Sequence, residues 1–172
     1  MLDILGKFSF VNQMDTHTPA LVDISPALPS DPNVAEVLRC HFDLMRSTSP
    51  AESCHVLQPD ELLEAGATLL AATRDGVVLG VGALKEIAPL HGELKSMHTI
   101  AKARGQGIAR QILLALIREA RTQGITRLSL ETGSDAPFAP ARALYAAEGF
   151  ELCPPFGSYV VDPLSVFMNR DL

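Results

Sequence analysis

The 172-residue sequence predicts a single mixed α/β domain, a mostly antiparallel sheet flanked by helices. Three observations carry the prediction. Two apolar, β-rich runs, ATLLAAT and VVLGVGALKEI, are joined by Arg74-Asp75-Gly76, which is the pattern of a β-hairpin. The stretch KARGQGIARQILLALIREARTQG has one apolar helical stripe, and it lies between the strand-like segments ELKSMHTI and TRLSLET, so a βαβ unit follows the hairpin. No internal repeat, low-complexity tract or interdomain linker divides the chain, which is long enough to bury a sizeable core.

Taken in order, residues 1–18 show only a weak pattern and contain Met14, so they are read as an N-terminal appendage and residues 19–172 as the domain. With Asp3 near the start and no basic segment or long apolar core, the segment does not read as a signal peptide, and none is expected. Residues 20–25 alternate as a short strand, which PALPSDP ends. Asp31 is the N-cap expected for a helix over 32–46, with Val34, Val37, Leu38, Phe42 and Met45 as its stripe. A polar loop over 47–60 and a short helix over 59–65 come next. After the hairpin, His91-Gly92 reads as the next turn and ELKSMHTI as a strand. In the long helix Ile108, Ile112, Leu113, Leu116, Ile117 and Ala120 face a core, and Gly124 ends it. TRLSLET is a strand, 138–148 a short helix, and two late strands lie near 149–152 and 165–169.

Composition narrows the function. A 47% apolar fraction suits a folded globule, and no apolar run approaches the ~20 residues a transmembrane helix needs, so no membrane partner is expected. The net charge of −6 argues against a nucleic-acid partner. Cys40, Cys54 and Cys153 are an odd, scattered set without metal-ligand spacing; we read them as reduced thiols of a cytoplasmic protein and expect no metal.

The start of the long helix is the most informative stretch. Gly105 and Gly107 keep side chains away from the backbone, and the first helical turn offers unpaired N–H groups at the positive end of the dipole, which suits a phosphate. It is not a Walker loop, because Ile108-Ala109 follow Gly107 in place of Lys-Ser/Thr.

Arg104-Gly105-Gln106-Gly107-Ile108-Ala109 and, further on, Leu144-Tyr145-Ala146-Ala147-Glu148-Gly149-Phe150 resemble, in this order and separation, the pyrophosphate loop and the Leu-Tyr-x-x-x-Gly-Phe segment of the GNAT superfamily of acyl-CoA-dependent N-acetyltransferases. SPAESCHVL, GALKEIAPLHGELKSM, RLSLETGS and PARALYAAEGFELCPPF are similar to its YsnE-like bacterial subgroup. The resemblance implies a sheet splayed at the acyl-CoA site, acetyl-CoA as co-substrate, and direct transfer of acetyl to the amine of a small molecule. It implies that Met97, His98 and Thr99 meet the pantetheine arm through their backbone, that Arg104, Gly105, Gln106, Gly107, Ile108, Ala109 and Arg110 surround the pyrophosphate, and that Tyr145 protonates the departing thiolate. The chain departs from the pattern at Phe138, seven residues before Tyr145, where the family often carries Asn; Ser134 is the expected substitute.

The acceptor amine must lose a proton to a base or a water relay; Glu93 and Glu131 are the candidates, with Glu93 taken as catalytic and Glu131 as a residue of the substrate mouth. His98 has a base reading and a structural one, of which the structural is preferred. Lys85, Lys95 and Arg142 are candidates to bind an acceptor carboxylate, and Glu52 and His55, in the polar loop, to position its ammonium. Two other functions stay open: a non-catalytic acyl-CoA-sensing module, and a protein acetyltransferase acting on lysines or N-termini. Oligomeric state is open too, with a homodimer as the candidate.

Overall fold

The computed structural model describes residues 21–48, 58, 61–62 and 66–172. The expected N-terminal appendage and the loop residues Glu52 and His55 lie outside the described residues, and the expected helix over 59–65 is described only at Glu61 and Leu62, which are helical. The elements are β1 (Asp23–Pro26), α1 (Pro32–Thr48), β2 (Thr68–Arg74), β3 (Val77–Ala88), β4 (His91–Thr99), α2 (Ile108–Thr122), β5 (Arg127–Gly133), α3 (Ala139–Ala147), β6 (Glu151–Leu152) and β7 (Ser165–Asp171). They build one seven-stranded sheet in the order β1-β2-β3-β4-β5-β7-β6. β4 and β5 pair in parallel across the α2 crossover, and the remaining neighbours are antiparallel. This is the α/β class the sequence predicts.

The two faces of the sheet carry separate cores. Under α2, Ile112, Leu113, Leu116 and Ala120 are fully buried against Leu70, Leu84, Leu94, Leu128 and Leu130. Each large side chain so buried stabilises the fold by about 1.5–3 kcal/mol. On the other face Val34, Val37 and Leu38 of α1 pack on Leu69, Ala71, Val81 and Ala83. Asp31 caps α1 as expected, its Oδ1 accepting the N–H of Asn33 at 2.9 Å and of Val34 at 3.4 Å. The helix runs two residues past its expected end, through Ser47 and Thr48. Phe42 and Met45 are only half-buried, because the second half of the helix passes over a cavity instead of the core.

The first hairpin turn has Asp75 at φ 51° and Gly76 at φ 75°, as a type I′ turn requires. The second is not at His91-Gly92. It falls at Pro89-Leu90, with Leu90 at φ 65°, where the Leu90 carbonyl accepts the N–H groups of Thr126 and Arg127 at 2.9 and 3.1 Å. Gly92 is a strand residue whose missing side chain serves packing, since a Cβ there would lie 2.9 Å from Leu84 and 3.0 Å from Leu128. The helix expected over 138–148 begins instead as a 3-10 turn, Ala136–Phe138, and becomes α-helical at Ala139.

One irregularity shapes the rest. Val81 pairs with His98 and Ala83 with Lys95, so Gly82 of β3 faces two residues of β4, Ser96 and Met97. That is a β-bulge, with Ser96 at φ 53°. Parallel pairing with β5 stops just before it, at Leu94 with Leu130. Beyond that point β4 and β5 diverge.

Gly82 has no room for a side chain: its Cβ would lie 2.5 Å from Met97 Sδ, 2.7 Å from Ile112 Cγ2 and 2.9 Å from Leu116 Cδ1. We expect Gly82→Val to lower the unfolding free energy by about 1–3 kcal/mol in urea titrations, the usual cost of overpacking. An unchanged midpoint would mean that the close passage of Met97 over β3 is not required.

Candidate active site

The divergence of β4 and β5 opens a cavity of about 780 Å³. Its walls are residues 93–99 of β4, the start of α2, the end of β5, the α3 side chains Ala141, Leu144 and Tyr145, and His41, Leu44 and Met45 of α1. Tyr159 and Leu164, from the loop between β6 and β7, complete it.

At the helix start, Gly107 is the N-cap of α2 in the left-handed region, φ 76°, and no side chain caps the helix. The first-turn N–H groups therefore have no intrahelical acceptor and lie at the positive end of the helix. Gly105 has φ 74°, and among the described residues no atom lies within 4 Å of where a Cβ would stand on either glycine. Arg104 Nε donates to the Thr99 carbonyl at 3.2 Å, and Arg110 Nε pairs with Glu148 Oε1 at 2.6 Å. Such a corner can hold a diphosphate through backbone donors with two guanidinium groups at its margin. Gln106 does not line it: its amide donates to the Lys102 carbonyl and accepts from Arg74 Nη1, bracing the loop from outside.

Along the divergence, residues 95–99 of β4 have no partner strand on the β5 side among the described residues. An extended chain carrying amides can add there as a strand does. Tyr145 is 6% exposed and stands edge-on to Phe150, ring centroids 5.8 Å apart. Burial first, and then the charge of Glu131, push its phenol well above the usual tyrosine range, so it keeps its proton at neutral pH.

A polar cluster forms a further part of the wall. Glu93 is 6% exposed, and its Oε1 accepts from Lys95 Nζ at 2.9 Å and from the Tyr159 hydroxyl at 2.5 Å. Lys95 Nζ donates to the Tyr159 hydroxyl as well, at 2.9 Å. The rings of Phe156 and Phe167 hold Tyr159 at 5.1 and 5.4 Å. Burial, followed by Glu93, raises its phenol above the ordinary range. Glu131 accepts from Ser165 Oγ at 2.7 Å. On the α1 side, His41 and His98 stand with ring centroids 5.4 Å apart. Burial and then His98 lower His41 to about 4; burial and then Arg104 lower His98.

The structure thus brings Glu93, Lys95, Met97, His98, Thr99, Arg104, Gly105, Gly107, Ile108, Ala109, Arg110, Glu131 and Tyr145 to one cavity. It does not bring Lys85, Ser134 or Arg142 there. Lys85 stands opposite Glu93 in the β3–β4 register but outside the lining. Arg142 Nη1 donates to the carbonyls of Gly133 and Asp135 at 2.5 and 3.0 Å, which ties α3 to the end of β5. The Ser134 hydroxyl donates to the Pro163 carbonyl at 2.9 Å, and it is the Phe138 ring that reaches the cavity. Sequence reasoning missed His41 and Tyr159. The first sits on an ordinary amphipathic helix and the second in a loop, and neither has a local pattern that marks it.

Residues 33–150 match the acetyltransferase (GNAT) family. The chain is 45% identical over 139 residues to the uncharacterized N-acetyltransferase YsnE of Bacillus subtilis, covering 81% of this chain and 92% of that protein. It is 41% identical over 124 residues to the IAA acetyltransferase of Azospirillum brasilense, 72% of this chain and 80% of that one. The structure superposes with a TM-score of 0.68 on the PaiA N-acetyltransferase of Thermoplasma acidophilum in complex with coenzyme A, at 18% identity and covering 88% of this chain and 99% of that one.

The depressed His41 links folding to pH. A histidine whose folded value lies below its unfolded value of 6.5 contributes stability that is complete above 6.5 and is lost as pH falls toward 4. The full loss is ~3 kcal/mol. Unfolding titrations between pH 6.5 and 5 should show the decline in the wild type and a shallower one in His41→Phe; parallel slopes would show that His41 is not held neutral.

Proposed function

Because the chain belongs to the acetyltransferase (GNAT) family, we propose that its cavity binds acetyl-CoA and passes the acetyl group directly to the amine of a small molecule. One observation carries this reading. The open strand edges, the glycine-capped helix start and a buried, protonated tyrosine line the same cavity. On this reading the pyrophosphate accepts from the amides of residues 107–110, with Arg104 beside it, and the pantetheine amides pair with the backbone of Met97, His98 and Thr99. Phe138 offers the arm apolar contact where the family often has an amide.

The amine nitrogen attacks the thioester carbon, a C–N bond forms, the C–S bond breaks, and sulfur leaves as a thiolate. Tyr145 donates a hydrogen bond to that sulfur. Its proton is held more tightly than a free thiol's, near 8.5 in water, so transfer completes only as negative charge builds on a sulfur that the same dry wall desolvates. Glu93 serves better as an anchor than as the base, since its Oε1 already accepts two hydrogen bonds, one of them from its ion-pair partner Lys95. Of the three cations considered for an acceptor carboxylate, Lys95 is the one in the lining, and Glu93 shares its charge. A carboxylate-bearing acceptor would have to draw Lys95 partly away from Glu93. One relative is named for IAA, so IAA belongs in the set of acceptors to be tried.

The test is release of free thiol from acetyl-CoA with amino acids, aromatic amines, polyamines and IAA. Turnover with at least one small acceptor is expected; binding of acetyl-CoA without turnover would favour a sensing module, and turnover only with peptides a protein acetyltransferase. Tyr145→Phe should keep acetyl-CoA affinity and lower kcat about ten- to a thousandfold. Gly107→Val places a β-branched residue at φ 76° beside the pyrophosphate, and calorimetry should show acetyl-CoA affinity weakened at least tenfold, about 1.4 kcal/mol.

A further inference from the structure

We propose that the imidazole of His98 takes the proton from the acceptor nitrogen, and that His41 is the positioning residue that holds its ring. The inference rests on the acetyltransferase reading above and assigns the base that reading lacks.

The bulge is what aims His98. Leu94 faces the α2 core, and strict alternation would send Ser96 and His98 to the same face. The extra residue reverses the phase: Met97 packs over Gly82 beside Ile112, and His98 emerges on the α1 side, opposite Val81, against His41. Two imidazoles from distant parts of the chain thus meet at the cavity wall, ring centroids 5.4 Å apart and tilted by 54°.

His41 Nδ1 is buried and has no hydrogen-bond partner among the described residues. Leaving such an atom unpaired is unfavourable, and a polar ligand or water in the cavity would relieve it. The charged and titratable groups that line the cavity with the pair are Arg104 and Arg110 at the helix start, Glu93 and Lys95 on the same strand, Glu131 on β5, Tyr145 on α3 and Tyr159 in the loop before β7. What shifts the two rings is burial, their mutual contact and Arg104. Both rings are therefore neutral at physiological pH, each with a nitrogen lone pair able to accept.

A weakly basic imidazole suffices, because the attacking nitrogen becomes far more acidic as its lone pair forms the C–N bond. In the step the N–H bond breaks, its proton goes to the His98 ring, and its electron pair stays on nitrogen. The C–S electron pair leaves with sulfur, which is protonated from Tyr145. Solvent then takes the proton from the imidazolium and returns one to the phenolate, so atoms and charge balance.

The experiment uses the full chain with acetyl-CoA and four amine probes, phenethylamine, tyramine, L-phenylalanine and spermidine, following thiol release against pH. We expect His98→Ala to lower kcat at least a hundredfold. Acetyl-CoA affinity by calorimetry should stay within twofold, and added imidazole should restore part of the activity. Beyond the loss that protonation of the amine imposes on every variant, the wild type should show a further acid limb in kcat/KM with an apparent pKa below 6.5, and His98→Ala should lack that further limb. His98→Asn, which keeps a polar side chain but cannot titrate, should behave as His98→Ala does without added imidazole, and guards against a folding failure. His41→Phe should lower kcat while keeping the acid limb. Wild-type kcat/KM in His98→Asn, or a loss that imidazole does not rescue with the acid limb intact, overturns the assignment. Absence of thiol release by the wild type with any probe overturns the acetyltransferase reading, and this inference with it.

Discussion

The extra residue in β4 is the constraint on which the rest of the molecule depends. Ser96 adopts φ 53°, a left-handed conformation that costs a non-glycine residue roughly 1–2 kcal/mol, in a position only 7% exposed. The surroundings hold it there. Before the bulge, β4 is locked between β3 and β5; after it, β4 follows β3 alone, with Met97 seated over Gly82 against Ile112 and Leu116. Three consequences come from this one feature. The parallel ladder ends, a cavity opens between strands that would otherwise be hydrogen-bonded, and the side chains beyond Ser96 exchange faces. Without it the sheet would be continuous, and the start of α2 would point at a closed surface.

Those parts of the fold that rest on local repetition were legible in the sequence. The stripe of α2, the Asp31 cap and the Asp75-Gly76 turn each follow from a few adjacent residues, and each is found in place. The second turn was misplaced because Gly92 carries the usual mark of a turn, whereas its glycine is demanded by Leu84 and Leu128 packed above the strand. That demand comes from the tertiary structure and has no local trace. Similarly, nothing in Phe42 or Met45 announces that α1 leaves the core halfway along its length.

The site divides in the same way. The glycine loop and Tyr145 lie in contiguous motifs and could be read directly. The cationic residues could not: Lys85, Lys95 and Arg142 look alike in sequence, yet one lines the cavity in an ion pair, one stands outside it, and one is spent on two backbone carbonyls. Tyr159 is separated from Glu93 by 66 positions and reaches it only because the loop before β7 folds back over the sheet. The overall charge of −6 does not exclude an anion at the start of α2. An anion can be received here by backbone N–H groups and a helix end, which do not enter a count of ionisable residues.

Burial gives the groups around the cavity a common character. It raises the phenols of Tyr145 and Tyr159 and lowers the imidazoles of His41 and His98, so each is driven to its uncharged form. A neutral acid and a neutral base can therefore stand in the same wall at the same pH. A charge of the wrong sign beside either group would pull it out of that state. Here the nearby charges push the same way as burial: Glu131 and Glu93 raise the phenols of Tyr145 and Tyr159, and Arg104 lowers the imidazole of His98. Aminolysis of a thioester needs that combination, since a neutral amine and a thioester become a neutral amide and a thiol, and the net change is one proton moved from nitrogen to sulfur. A dry wall with a donor on one side and an acceptor on the other supports such a transfer without holding a lasting charge, and the bulge at Ser96 is what lets both face one cavity.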